Sequence, residues 1–122
     1  MTTINIGAQT IDDIITKNNI VLIDWWAEWC GPCKMFGPIY EKVSEKHPEI
    51  VFAKVDTEAE QQLAASAQIQ SIPTLMAFKD QVLIFSQAGA LQEPQLDQLI
   101  QAIKDVDMDE VKKQMASENK PE

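Results

Sequence analysis

The chain has 122 residues, enough for one domain with its own hydrophobic core and too few for two. It is 45% hydrophobic and 24% charged, with 4 Gly and 6 Pro, which excludes disordered, collagen-like and disulfide-stapled classes. Ten cations, every one a lysine, stand against nineteen carboxylates for a net charge of −9, so neither nucleic acid nor an anionic lipid surface is expected as a partner, and no arginine supplies the forked clamp that phosphate sites favour.

The first eight residues lack a cationic stretch followed by an apolar one, so they read as no secretory signal. The longest apolar run, Ile20-Val21-Leu22-Ile23, stops at Asp24, well short of the roughly 20 residues that cross a bilayer. A cytoplasmic protein is expected, although a chain whose signal had been removed would read the same way.

A short strand is predicted over 3–6, then a helix over 10–17 capped by Thr10, with Ile11, Ile14 and Ile15 at helical spacing and Asn18-Asn19 as its stop. Residues 20–27 are apolar at odd and even positions alike, the pattern of a central strand buried on both faces of a parallel sheet. Over 33–46, Met35, Phe36, Ile39, Tyr40 and Val43 recur at three and four, a helix in which Gly37-Pro38 predicts a kink and which His47-Pro48 closes. A strand over 50–55, a short helix ending near Ala67, and strands over 74–78 and 82–86 joined across Lys79-Asp80-Gln81 follow. The last clear helix starts near Pro94 and stripes Leu96, Leu99, Ile100 and Ile103.

The alternation predicts an α/β fold with a mixed sheet of about five strands, an antiparallel strand at one edge, and about four helices distributed over both faces. Residues 1–104 form the domain, and 105–122 form an acidic, polar extension. Met108, Val111 and Met115 keep helical spacing within that extension, which reads either as a frayed end or as a docking element for a partner or a second copy.

The chemistry concentrates at Cys30-Gly31-Pro32-Cys33, the only two cysteines, where a buried strand ends and a helix begins. A helix N-terminus offers free backbone N–H groups and partial positive charge to a sulfur, favouring the thiolate that attacks in disulfide exchange. Cys30, preceding the helix, is expected to be the more exposed sulfur and the nucleophile, with Cys33 as the resolving thiol. Pro32 at the helix start sacrifices no hydrogen bond. Zinc is disfavoured: it wants four ligands, and the single histidine, His47, lies about 20 Å along the helix from Cys33, where it reads as a solvated helix-end residue.

Asp24 lies among Leu22, Ile23, Trp25 and Trp26 in the two-faced strand, where an ionised carboxylate lacks water and its pKa should rise toward a value suited to proton transfer. Neutralising it should slow exchange and raise stability.

Asp24-Trp25-Trp26-Ala27-Glu28-Trp29-Cys30-Gly31-Pro32-Cys33-Lys34, followed by Ile72-Pro73-Thr74 and Gly89-Ala90-Leu91, resembles the thioredoxin family over about residues 3–104. The resemblance implies a protein-disulfide reductase that carries electrons without a cofactor or metal of its own and is recharged by an NADPH-dependent, flavin-containing thioredoxin reductase. It further implies that Asp24 takes or relays the proton of Cys33, that Lys54 neighbours and modulates that acid, and that Pro73 is cis and faces the dithiol. Trp29, Gly31, Pro32, Ile72, Pro73, Gly89 and Ala90 would then form a shallow apolar surface for disulfide-containing client proteins, served by a monomer. Trp25, Gln81 and Gln92 depart from the family's usual Phe, Gly and small capping residue. The competing function is a thioredoxin-fold binding module or holdase that acts independently of redox state.

Overall fold

A strand apolar at both parities needs cover on both faces, and the arrangement of the other elements supplies it. The computed structural model describes residues 2–118. In chain order they form β1 (Thr3–Asn5), α1 (Ile11–Lys17), β2 (Ile20–Trp26), α2 (Gly31–Ser44), β3 (Val51–Asp56), α3 (Gln61–Ser66), β4 (Thr74–Lys79), β5 (Val82–Ala88), α4 (Glu93–Asp105) and α5 (Met108–Glu118). The sheet order is β1-β3-β2-β4-β5, which makes β2 the central strand. Strands β1, β3 and β2 are parallel, β4 is antiparallel to β2, and β5 is antiparallel to β4.

The antiparallel strand is therefore β4, inside the sheet, and not an edge strand as the sequence pattern suggested. The chain re-enters the sheet at the end where β2 finishes, so β4 must run back along β2, and the hairpin turn then places β5 outermost. That turn is tighter than expected. Lys79 belongs to β4, and Asp80 and Gln81 alone make the turn, both at positive φ (50° and 69°).

Even-numbered residues of β2 face α2 and α4. Leu22, Phe36, Tyr40, Phe52, Leu75, Leu96 and Ile100 close that side, each almost fully buried. The odd-numbered Val21, Ile23 and Trp25 meet Val55, Ala64 and Met76 under α1 and α3. Each large side chain withdrawn from water contributes about 1.5–3 kcal/mol, and Tyr40 keeps its hydroxyl satisfied by donating to the Ala53 carbonyl at 2.8 Å.

Helix α2 begins two residues earlier than its apolar period indicates, because Cys30 occupies the N-cap with Gly31 and Pro32 in the first turn. It runs through Pro38 without a break, the proline removing one donor from the interior of the helix. His47 is not a solvated residue: its ring stacks on Phe52 with centroids 6.4 Å apart, and its side chain is 17% exposed. Residues 108–118 continue as a fifth helix, with Met108 buried and Lys112 paired to Asp80 at 3.2 Å. No helix among the described residues is long and apolar enough to cross a membrane.

Candidate active site

The C-terminal end of β2 delivers Trp26 and Ala27 to the mouth of α2, and the two cysteines sit there joined as a disulfide, with Cα atoms 5.2 Å apart. At the N-cap, the backbone N–H of Cys33 donates to Cys30 Sγ at 3.2 Å. This is the orphan-donor geometry of a helix start, aimed at a sulfur. The expected difference in exposure is absent, since Cys30 is 4% and Cys33 5% exposed. The two cysteines cluster with buried Ala27, and half-buried Trp26 and Ile72 pack against that group.

The Ile72–Pro73 bond is cis, and the Ile72 carbonyl oxygen lies 3.7 Å from Cys30 Sγ. Gly89 donates its N–H to the Pro73 carbonyl at 2.8 Å, which ties the 89–91 turn to the same spot. Gly89 has φ +112°, a conformation that side-chain-bearing residues rarely adopt. Ala90 beside it packs against the core under α4. Trp29 is 68% exposed, so it does not serve as packing. Its indole N–H donates to Glu58 Oε1 at 2.7 Å, and with Ile72 it lines a shallow cavity of about 180 Å³. Gly31 and Pro32 are exposed at the helix mouth.

Asp24 lies one layer beneath, 1% exposed, on the face of β2 that looks toward α2. Among the described residues neither of its carboxylate oxygens accepts a hydrogen bond. Burial pushes its pKa up to about 7, the positive charge of Lys54 opposing the rise. Lys54 stands in register with Asp24 on β3. It is half-buried, not a solvent-facing strand end, and its Nζ sits 4.9 Å from the centre of the Trp26 ring. A cavity of about 360 Å³ opens between β2, β3 and α2, lined among others by Trp26, Cys33, Gly37, Glu41 and Lys54.

All eleven residues singled out in the sequence thus fall at one end of the sheet. Two more belong with them. Trp26 carries the Lys54 ammonium, and its placement two residues from Asp24 on one strand is a signal that alternation contains. Glu58, which orients Trp29, carried no signal, because a loop carboxylate acquires its partner only in the fold. Among the described residues no group of three His, Cys, Asp or Glu is arranged to hold a metal ion.

A thioredoxin family model matches residues 2–105. A Streptomyces coelicolor relative, named as a thioredoxin 2, is 51% identical over 116 residues, covering 95% of this chain and 87% of its own. That similarity continues past residue 105 into α5. Among solved structures, a Plasmodium falciparum thioredoxin superposes with TM-score 0.75 at 35% identity, covering 82% of this chain and 97% of that one. A Malassezia sympodialis thioredoxin gives 0.74 at 33%, covering 82% and 89%. With the dithiol at a helix mouth beside a cis proline and above a buried acid, the chain belongs to the thioredoxin family and performs its dithiol–disulfide exchange.

Proposed function

We propose that the protein reduces disulfides in client proteins with Cys30 as nucleophile and Cys33 as resolving thiol. The observation that carries this assignment is the Cys33 N–H aimed at Cys30 Sγ: in the reduced state that donor and the partial charge of the helix mouth favour a thiolate on Cys30. The thiolate attacks one client sulfur, so a Cys30–client S–S bond forms, the client S–S bond breaks, and the departing sulfur takes up a proton. Cys33 then gives its proton to the Asp24 carboxylate and attacks Cys30. The Cys30–Cys33 bond forms, the Cys30–client bond breaks, the client's second sulfur leaves as a thiolate that takes up a proton from water while Asp24 releases its own, and two electrons have passed to the client.

Asp24, with a pKa near 7, is matched to taking up and releasing a proton at neutral pH, and Lys54 modulates its charge. Trp29, Gly31, Pro32, Ile72, Pro73, Gly89 and Ala90 offer the docking surface, on which the Ile72 backbone pairs with an extended client segment. An NADPH-fed thioredoxin reductase returns the disulfide to the dithiol, and the cytoplasm, where thiols are kept reduced, is the working compartment. Membership of the family supports both.

Cys30→Ser is expected to abolish reduction of a disulfide-bonded protein in a turbidity assay with reductase and NADPH. Cys33→Ser is expected to trap a client as a mixed disulfide on Cys30, visible in non-reducing electrophoresis. If Cys30→Ser keeps full activity, or the trapped sulfur is Cys33 in the reciprocal variant, the assignment of roles fails. Undiminished client capture with both cysteines replaced by Ser would instead favour a redox-independent binding module.

A further inference from the structure

Lys54 has no acidic partner within ion-pair distance among the described residues, although Glu28 and Glu41 line the same cavity. Glu41 is engaged elsewhere, accepting from the Thr2 N–H at 2.8 Å and the Thr3 hydroxyl at 2.5 Å. What holds the ammonium is the Trp26 ring on one side and α2 on the other: a Cβ built on Gly37 would lie 3.9 Å from Nζ. That spacing is an ordinary van der Waals contact, so the ammonium rests against the surface of α2. Trp26, Asp24 and Lys54 share one face of β2 and β3, so the indole sits beside the register pair Asp24–Lys54.

We propose that Trp26 is a positioning residue for the exchange reaction, its ring holding the Lys54 ammonium by a cation–π contact in the cavity beside Asp24. Without that ring the lysine's flexible four-carbon stem is free to carry the charge out to water or toward Glu28 at the cavity rim. The role rests on the reading of Asp24 as proton acceptor, because its effect is exerted on that acid. The other titratable groups around Asp24 leave the cation's place decisive. Helix α2 brings Tyr40 and Cys33, the cavity rim brings Glu28, Lys34 and Glu41, β4 brings the apolar Leu75, and α4 brings Leu96 and Ile100. Lys54 is the cation whose charge lowers the pKa of the acid.

The test is the titration of Asp24 in the oxidised protein, followed through its side-chain carboxyl carbon resonance, alongside the pH–rate profile of client reduction. Lys54→Met is expected to raise the Asp24 inflection by about one pH unit, the low end of what a nearby opposite charge does. Trp26→Leu should raise it in the same direction, Trp26→Phe should restore most of the native value, and the double variant Trp26→Leu/Lys54→Met should match Lys54→Met alone. If Trp26→Leu leaves the inflection unmoved, or shifts it as much with Lys54 already removed, the ring does not act through the lysine and the proposal is overturned. Failure of the underlying reading looks different: the carboxyl shifts as expected in every variant while the pH–rate profile does not follow it.

Discussion

At the scale of the residue, Asp24 is a buried carboxylate that costs stability, and its proposed role as proton acceptor is what that cost serves. Its pKa moves from 3.8 to about 7, chiefly because burial strips water from the charged form. Since the folded value exceeds the unfolded one, the folded chain binds the proton more tightly. The penalty is absent below about pH 4, grows as pH rises through the window between the two values, and is complete above 7, where it amounts to roughly 4 kcal/mol. Asp24→Asn should therefore flatten that pH dependence, add a few kcal/mol of stability at pH 8 and little at pH 4, and slow client reduction. Urea unfolding midpoints at the two pH values, set beside exchange rates, measure this. Sequence alternation placed the acid in a two-faced strand, but could not show whether Lys54 faced it or solvent, since that depends on which strand lies alongside.

At the scale of the element, the β4–β5 turn forces Asp80 and Gln81 into left-handed conformations at φ 50° and 69°, which for residues bearing a Cβ costs about 1–2 kcal/mol each. Asp80 is retained for other work: its N–H donates to the Asn19 carbonyl at 2.9 Å, and its carboxylate accepts from the Asn19 amide and pairs with Lys112. Gln81 has no such tie among the described residues. Gln81→Gly should therefore stabilise the protein by up to about 1 kcal/mol and raise its thermal midpoint with client reduction unchanged; a lowered midpoint would refute the account. Glutamine at this position reads in the sequence as a departure from the usual turn chemistry. In α4, Gln92 takes the N-cap, and Gln95 Oε1 accepts its backbone N–H at 3.0 Å, a contact from the third helical residue that serves in place of the small capping residue.

At the scale of the whole molecule, the end of the sheet opposite the dithiol is closed by a buried cation. Lys79, 9% exposed, donates to the carbonyls of Ile103, Lys104 and Val106 at 2.9, 2.8 and 2.9 Å. A helix C-terminus leaves its last carbonyls short of donors; here Ile103 also accepts the Val106 N–H at 3.2 Å, and a lysine at this end answers the helix dipole. The same contacts fix the link into α5, whose Met108 is buried and whose Lys112 reaches Asp80. Lys79→Met should remove the donor from the Lys104 and Val106 carbonyls, Ile103 keeping the Val106 N–H, cost about 2 kcal/mol, and speed amide hydrogen exchange across residues 108–118 while the dithiol keeps its activity. Unaltered exchange rates in α5 would show that the helix docks by other means.

The sequence by itself determined the elements through α4, the central place of β2 and the dithiol chemistry, because those follow from local pattern: two-faced apolarity, helical period, and two sulfurs at a strand-to-helix junction. It also placed Asp24 in the core, since burial was implied by its neighbours along the chain. Only the tertiary structure decided which strand lies beside which, and so made β4 rather than an edge strand the antiparallel one. It likewise set Lys54 on the Trp26 ring, equalised the burial of the two cysteines, stacked His47 on Phe52, and turned Lys79 from a turn residue into a buried clamp. Each of these depends on groups far apart in sequence, and a side chain's solvent and charged neighbours come into being only when those groups meet.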